Sequence, residues 1–152
     1  MSFIDSSTAF SIAQAAFASG ADVNSTNIID LAPHLPLNAP WISDEGAGKS
    51  GFLNVNVTTA FSGGTSMQVV LQTDTNTNFA TVKTEPAMSS AIPVASLVAG
   101  AKICLPLPSA LKRYLRVAYR NVGANVAGAC SANISNQAET TPLNYNGNFI
   151  AG

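Results

Sequence analysis

The sequence predicts an all-β protein: one domain built as an antiparallel β-sandwich or jelly-roll, with an N-terminal arm and a long loop. Three observations carry this expectation. Segments that alternate apolar and polar side chains recur along the chain, turn residues separate them at intervals of roughly 8–12 residues, and neither a βαβ rhythm nor a repeat period is present. The boundaries that follow are an arm over residues 1–20, a sandwich over 21–137 and a tail over 138–152.

In the arm, Phe10, Ala13 and Phe17 would share one face of a helix, but the serine and β-branched content weighs toward an extended segment. Residues 23–31, VNSTNIIDL, read as a short strand. Residues 32–50 contain three prolines together with His34, Trp41, Asp44 and Glu45, and form a long loop of the kind that is usually functional or partner-facing. The most strongly patterned stretch is 51–73, where Leu53, Val55 and Val57 alternate with Asn54, Asn56 and Thr58 before Gly63-Gly64 interrupts and Met67-Gln68-Val69-Val70-Leu71-Gln72 follows. Period-two alternation sends one row of side chains to a core and the other to water, and a glycine pair supplies the positive φ angles of a tight reversal, so a β-hairpin is expected.

A polar turn at DTNTN, residues 74–78, leads to a further alternating strand at 79–84. Prolines confine 92–100 and 102–108 to strand starts and sheet edges, because proline cannot donate to a ladder. Residues 114–122 and 128–135 are strands, with turn material at 123–125.

A chain of 152 residues is the size of one domain with a sizeable core. Hydrophobic residues make up 47 %, an ordinary share, but charged residues only 10 %, against about 25 % in an average chain. Ser, Thr, Asn, Gln and Ala must therefore dress the surface, and such a surface repels neighbouring protein copies weakly. A net charge of -1 gives no reason to expect nucleic acid or an anionic membrane as partner. No stretch approaches the roughly 20 apolar residues of a membrane span, and the N-terminus lacks the pattern of a secretory signal. Cys104 and Cys130 lie in apolar or small-residue surroundings and read as reduced, buried thiols.

Signals for chemistry are weak. His34 is the lone histidine, and no Ser or Cys stands in a nucleophile setting beside it, so no catalytic residue and no enzyme activity are expected. One His and two dispersed Cys give no zinc spacing. Gly46-Ala47-Gly48-Lys49-Ser50 resembles the end of a phosphate loop, but Ser43 stands where that loop needs its first glycine. Asp74, Asn76, Asn78 and Glu85 occupy positions 1, 3, 5 and 12 of a calcium loop, yet Phe79 replaces the required glycine at position 6, and turn chemistry selects the same residues without an ion. Neither a cofactor nor a metal is expected. Lys112, Arg113, Arg116 and Arg120 hold four of the seven positive charges. In a strand Tyr114, Arg116, Ala118 and Arg120 share one face, and Leu115, Val117 and Tyr119 the other. That face reads first as solvated; its functional reading is that the arginine forks meet carboxylates of a partner.

Read together and in order, several segments resemble the capsid cement proteins of the Bordetella-phage type, found in tailed bacteriophages. They are FSIAQA at 10–15, STNIIDL at 25–31, TAFSGGTSMQVVLQT at 59–73, IPVASLVAG at 92–100, LPLP at 105–108 and RYLRV at 113–117. The loop at 32–50 is longer here than in that pattern, and the tail after Gln137 departs from it. The resemblance implies a jelly-roll protein without catalytic role that binds the outside of an icosahedral head at junctions between major capsid protein subunits. It implies a homodimer, with a homotrimer as the alternative. The residues expected at capsid or subunit contacts are Trp41, Asp44, Glu45, Arg113, Arg116 and Arg120, with Trp41 as an aromatic anchor. The competing expectation is a jelly-roll carbohydrate-binding module on the virion surface, using Trp41 with Asp44 and Glu45, or Tyr114 with Tyr119.

Overall fold

The computed structural model describes residues 8–31, 51–108, 111–135 and 138–139. Among these residues ten strands form two antiparallel sheets. They are β1 (Ala9–Ala15), β2 (Asp22–Asn24), β3 (Ile29–Asp30), β4 (Phe52–Gly63), β5 (Ser66–Asp74), β6 (Thr84–Met88), β7 (Ile92–Pro93), β8 (Lys102–Pro106), β9 (Tyr114–Val122) and β10 (Asn125–Ser135). The first sheet has the order β1-β10-β4-β8; in the second, β2 and β3 share one flank of β9, β5 lies on its other flank, and β6 and β7 share the far side of β5. No helix among the described residues is long and apolar enough to cross a membrane.

Parity explains the sandwich. Leu53, Val55 and Val57 of β4 and Cys130 and Ala132 of β10 point inward from the first sheet, and Met67, Val69 and Leu71 of β5 meet them from the second, beside Leu115, Val117 and Tyr119 of β9. All of these are buried, and each fully buried Val or Leu contributes about 1.5–3 kcal/mol. The Ser11 and Tyr119 hydroxyls meet across this core, 2.6 Å apart. Burial pushes the Tyr119 phenol well above its ordinary 10, with the Ser11 contact acting in the opposite direction. Cys130 is also buried, which pushes its thiol up to about 12; both cysteines are free, and Cys104 is half-buried on the first sheet. The Tyr114–Tyr119 sugar platform is therefore overturned, because Tyr119 is a core residue.

Four local expectations change in the structure. The stretch at 51–73 does turn tightly at Gly63 and Gly64, with φ of 70° and 61°, but its strands enter different sheets, so it is a crossing and not a hydrogen-bonded hairpin. Both glycines are needed there: a Cβ on Gly64 would fall 1.9 Å from the Asn125 side-chain oxygen. Residues 9–15, placed in the arm, form β1 and pair with β10. Two register shifts interrupt that pairing, and Ala13 takes φ 44°, which hides the alternation.

The strand expected at 23–31 is divided into β2 and β3, because the buried Ser25 leaves the line to bond Val117, its N–H donating to the Val117 carbonyl and its hydroxyl accepting from the Val117 N–H. Finally, residues 79–83 are not a strand. Phe79 takes φ 52° in a loop, and pairing with β5 resumes only at Thr84.

Candidate contact face on the second sheet

The outward row of the second sheet follows from the same parity. Gln68, Val70, Gln72 and Asp74 of β5 stand in register with Arg120, Ala118, Arg116 and Tyr114 of β9. This row meets the loop at 75–83, and Asp74 fastens that loop. Its carboxylate accepts the N–H groups of Thr75 (2.6 Å), Asn76 (3.1 Å) and Val82 (3.2 Å). Burial opposes ionisation of Asp74, but the backbone donors outweigh it and hold the carboxyl below its ordinary 3.8. The loop is held from its far end as well, where the Lys112 ammonium donates to the Val82 carbonyl.

The calcium-loop resemblance thus resolves into turn chemistry. Asn78 accepts from the Ala80 N–H, Asn76 donates to Thr81, and Glu85 faces Gln72 and Arg120. Among the described residues no group of three or more His, Cys, Asp or Glu is placed to hold a metal ion.

Each arginine expected at a contact has a definite place. Arg113 grips Asp30 of β3 with two bonds of 2.9 Å and lies over the Tyr114 ring. Arg120 spans Asp22 of β2 at 3.3 Å and Glu85 of β6 at 2.9 Å, tying the two flanks of the sheet across its face. Burial works against the Glu85 carboxylate, but the Gln72 amide, the Arg120 guanidinium and the charge of Lys83 hold it below its ordinary 4.5. Arg116 is half-buried, donates from Nε to the Gln72 side-chain oxygen at 2.7 Å, and lies with its guanidinium carbon 4.2 Å from the centre of the Phe79 ring. Trp41, Asp44 and Glu45 lie outside the described residues, as do His34 and the segment 46–50.

The shared face of Arg116 and Arg120 was legible from alternation alone. Their partners Asp22, Glu85, Gln72 and Phe79 were missed, since all are remote in sequence. The available signal was the outward pair Gln68 and Gln72 flanking the apolar run Val69-Val70-Leu71 of β5.

The sheet edges are blunted. Pro86 and Pro93 lie in β6 and β7, Pro106 ends β8, and Asp22 and Asp30 charge the opposite flank of the second sheet. The edge of β1 is engaged by the segment at 24–27, where the Asn27 N–H donates to the Phe10 carbonyl and the Gln14 amide donates to the Asn24 carbonyl. A cleft of about 210 Å³ opens beside it, lined by residues that include Phe10, Ile12 and Asn27.

Edges blunted by proline and charge leave the faces and turns of this all-β sandwich, and not strand addition, as the surfaces it presents. A family model then gives the lineage. Residues 10–134 match the model described as Bbp16, and the chain belongs to the Bbp16 family, a family of Bordetella phage proteins. The match runs from the second residue of β1 to the penultimate residue of β10, so it takes in the whole sandwich. No curated protein matches the chain.

Proposed function

We propose that this chain is a capsid decoration protein that binds the outer surface of an icosahedral phage head between major capsid protein subunits and stabilises the shell. The observation that carries the proposal is the Bbp16 match across the entire sandwich. The strand order supports reading that sandwich as a jelly roll. Taking β2 with β3 and β6 with β7 as single positions, eight positions fill two four-stranded layers, and all but one connection between successive positions passes from one layer to the other. Proline and charge at the edges favour lateral contact through faces and loops, and a surface with few charges lets many copies crowd on one lattice. Self-association as a homodimer, or alternatively a homotrimer, would add avidity to modest single contacts. Trp41, Asp44 and Glu45, outside the described residues, are the further contacts we assign to the shell or to a second copy.

Co-sedimentation with heads that lack this protein tests the proposal. Stoichiometric pelleting, together with survival of decorated shells under heat or low salt that ruptures bare ones, is the expected result. Protein that stays in the supernatant would sink the reading and direct attention to glycans.

A further inference from the structure

The three arginines of the β9 segment are not equivalent. Arg113 and Arg120 are neutralised inside the chain by Asp30 and by Asp22 with Glu85. Arg116 meets no carboxylate among the described residues; its hydrogen bond goes to a neutral amide, and its plane rests on an aromatic ring. That arrangement fixes the side chain before any partner arrives. Phe79 is buried and held in a left-handed backbone conformation at the loop that Asp74 fastens. Gln72 is buried too, and its amide nitrogen donates to Glu85 at 2.9 Å, which aims its oxygen at Arg116 Nε. The entropy of ordering a long cationic side chain is therefore spent during folding, leaving the two terminal nitrogens of the fork for a ligand.

We propose that Arg116 is a preorganised receptor for a carboxylate side chain of the shell protein, docked in the plane of the guanidinium. The inference rests on the decoration reading above and names the partner chemistry of this face. Burial disfavours the Arg116 cation, and the through-space charges of Asp74 and Asp22 oppose that. An incoming carboxylate would supply the direct partner that those charges do not. A planar monoanion matches the fork with two parallel bonds. A phosphate, by contrast, would bring higher charge toward Asp22, Asp74 and Glu85, and a polyanion would find Arg113 and Arg120 already neutralised.

The test uses the full chain and heads that lack it. Wild type, Arg116→Lys and Arg116→Gln are titrated onto untreated heads and onto heads whose carboxylates have been amidated with carbodiimide and glycinamide, and each protein is melted in parallel. Wild type should bind untreated heads and lose binding on amidated ones. Both variants should bind untreated heads about tenfold or more weakly, because an ammonium cannot form the two-toothed contact and a neutral amide lacks the charge. Their melting temperatures should stay close to wild type, separating docking from folding.

Unchanged binding by folded variants, or by wild type on amidated heads, overturns the inference and leaves decoration standing. If neither variant folds, the amidated heads still decide. Wild type that fails to bind untreated heads removes the decoration reading, and this inference with it.

Discussion

The two outer faces of the sandwich differ in how they are held. On the second sheet Arg120 bridges two flanks through Asp22 and Glu85, Arg116 sits on Phe79, and Asp74 gathers a loop. On the first sheet the outward row of β4 is Asn54, Asn56 and Thr58, and that of β10 includes Ser131 and Asn133. There Asn54 does the joining: its amide donates to the Ser135 hydroxyl at 2.8 Å and its oxygen accepts the Glu139 N–H at 2.9 Å. Lys102 and Glu139, 3.5 Å apart, are the charges on this side among the described residues. One face is thus ordered by charge and the other by amides and hydroxyls. The charged face will respond to salt and acid, and the amide face, with its single part-exposed ion pair, much less.

The contrast requires two sheets back to back, and the change expected to do the most damage attacks that requirement. A Cβ on Gly128, which has φ 144°, would lie 2.5 Å from the Phe61 ring. Gly128→Ala should cost about 3 kcal/mol, read as a fall of roughly 8 °C in melting temperature. An unchanged melting point would mean that Phe61 does not pack on that backbone.

Asn54→Ala removes a buried residue with bonds on both sides and should cost about 2 kcal/mol, equally at low and high salt. Calorimetry at the two salt concentrations measures it; a loss that shrinks with salt would blur the distinction between the faces. Arg120→Met should cost about 1 kcal/mol at low salt and less at high salt, since its partners are partly exposed.

Acid probes the same face. Glu85 and Asp74 have carboxyls depressed below 4.5 and 3.8, so the unfolded chain binds more protons in that range. The stability they contribute is present above those values and is lost as pH falls through the depressed folded ones. Glu85→Gln should flatten the acid limb of a melting-temperature profile between about pH 5 and pH 2, and an unaltered profile would assign the limb elsewhere. Smallest of all, Lys102→Ala should stay within about 0.5 kcal/mol of wild type by denaturant titration.

What could be read from the chain divides along the same physical lines. The long strands β4, β5, β9 and β10 were legible because alternation is a local property: Leu53, Val55 and Val57 announce an inward row without reference to anything distant. Pairing is not local. The Gly63-Gly64 turn has the chemistry of a hairpin whether its strands pair or part, and only the packing of two layers decides. The residues at 79–83 imitate a strand because Phe79 and Val82 look like core, whereas the turn donors converging on Asp74 set the backbone. At the candidate site, the face of Arg116 and Arg120 followed from parity. Their separation into one arginine paired with carboxylates and one that meets none among the described residues depended on Asp22, Gln72 and Glu85, which only the folded sheet brings together.

One feature of the first sheet bears on how the protein is made. Its opening strand, β1, pairs with its final one, β10, and β10 also carries β4. A ribosome must therefore release residue 135 before the sheet can close, and at roughly 5–20 residues per second the earlier strands wait on the order of ten seconds. For part of that interval, until β9 has been made, the apolar run of β5 lacks its neighbour. Late closure of the first sheet, after all the other strands have been made, is the circumstance this topology imposes.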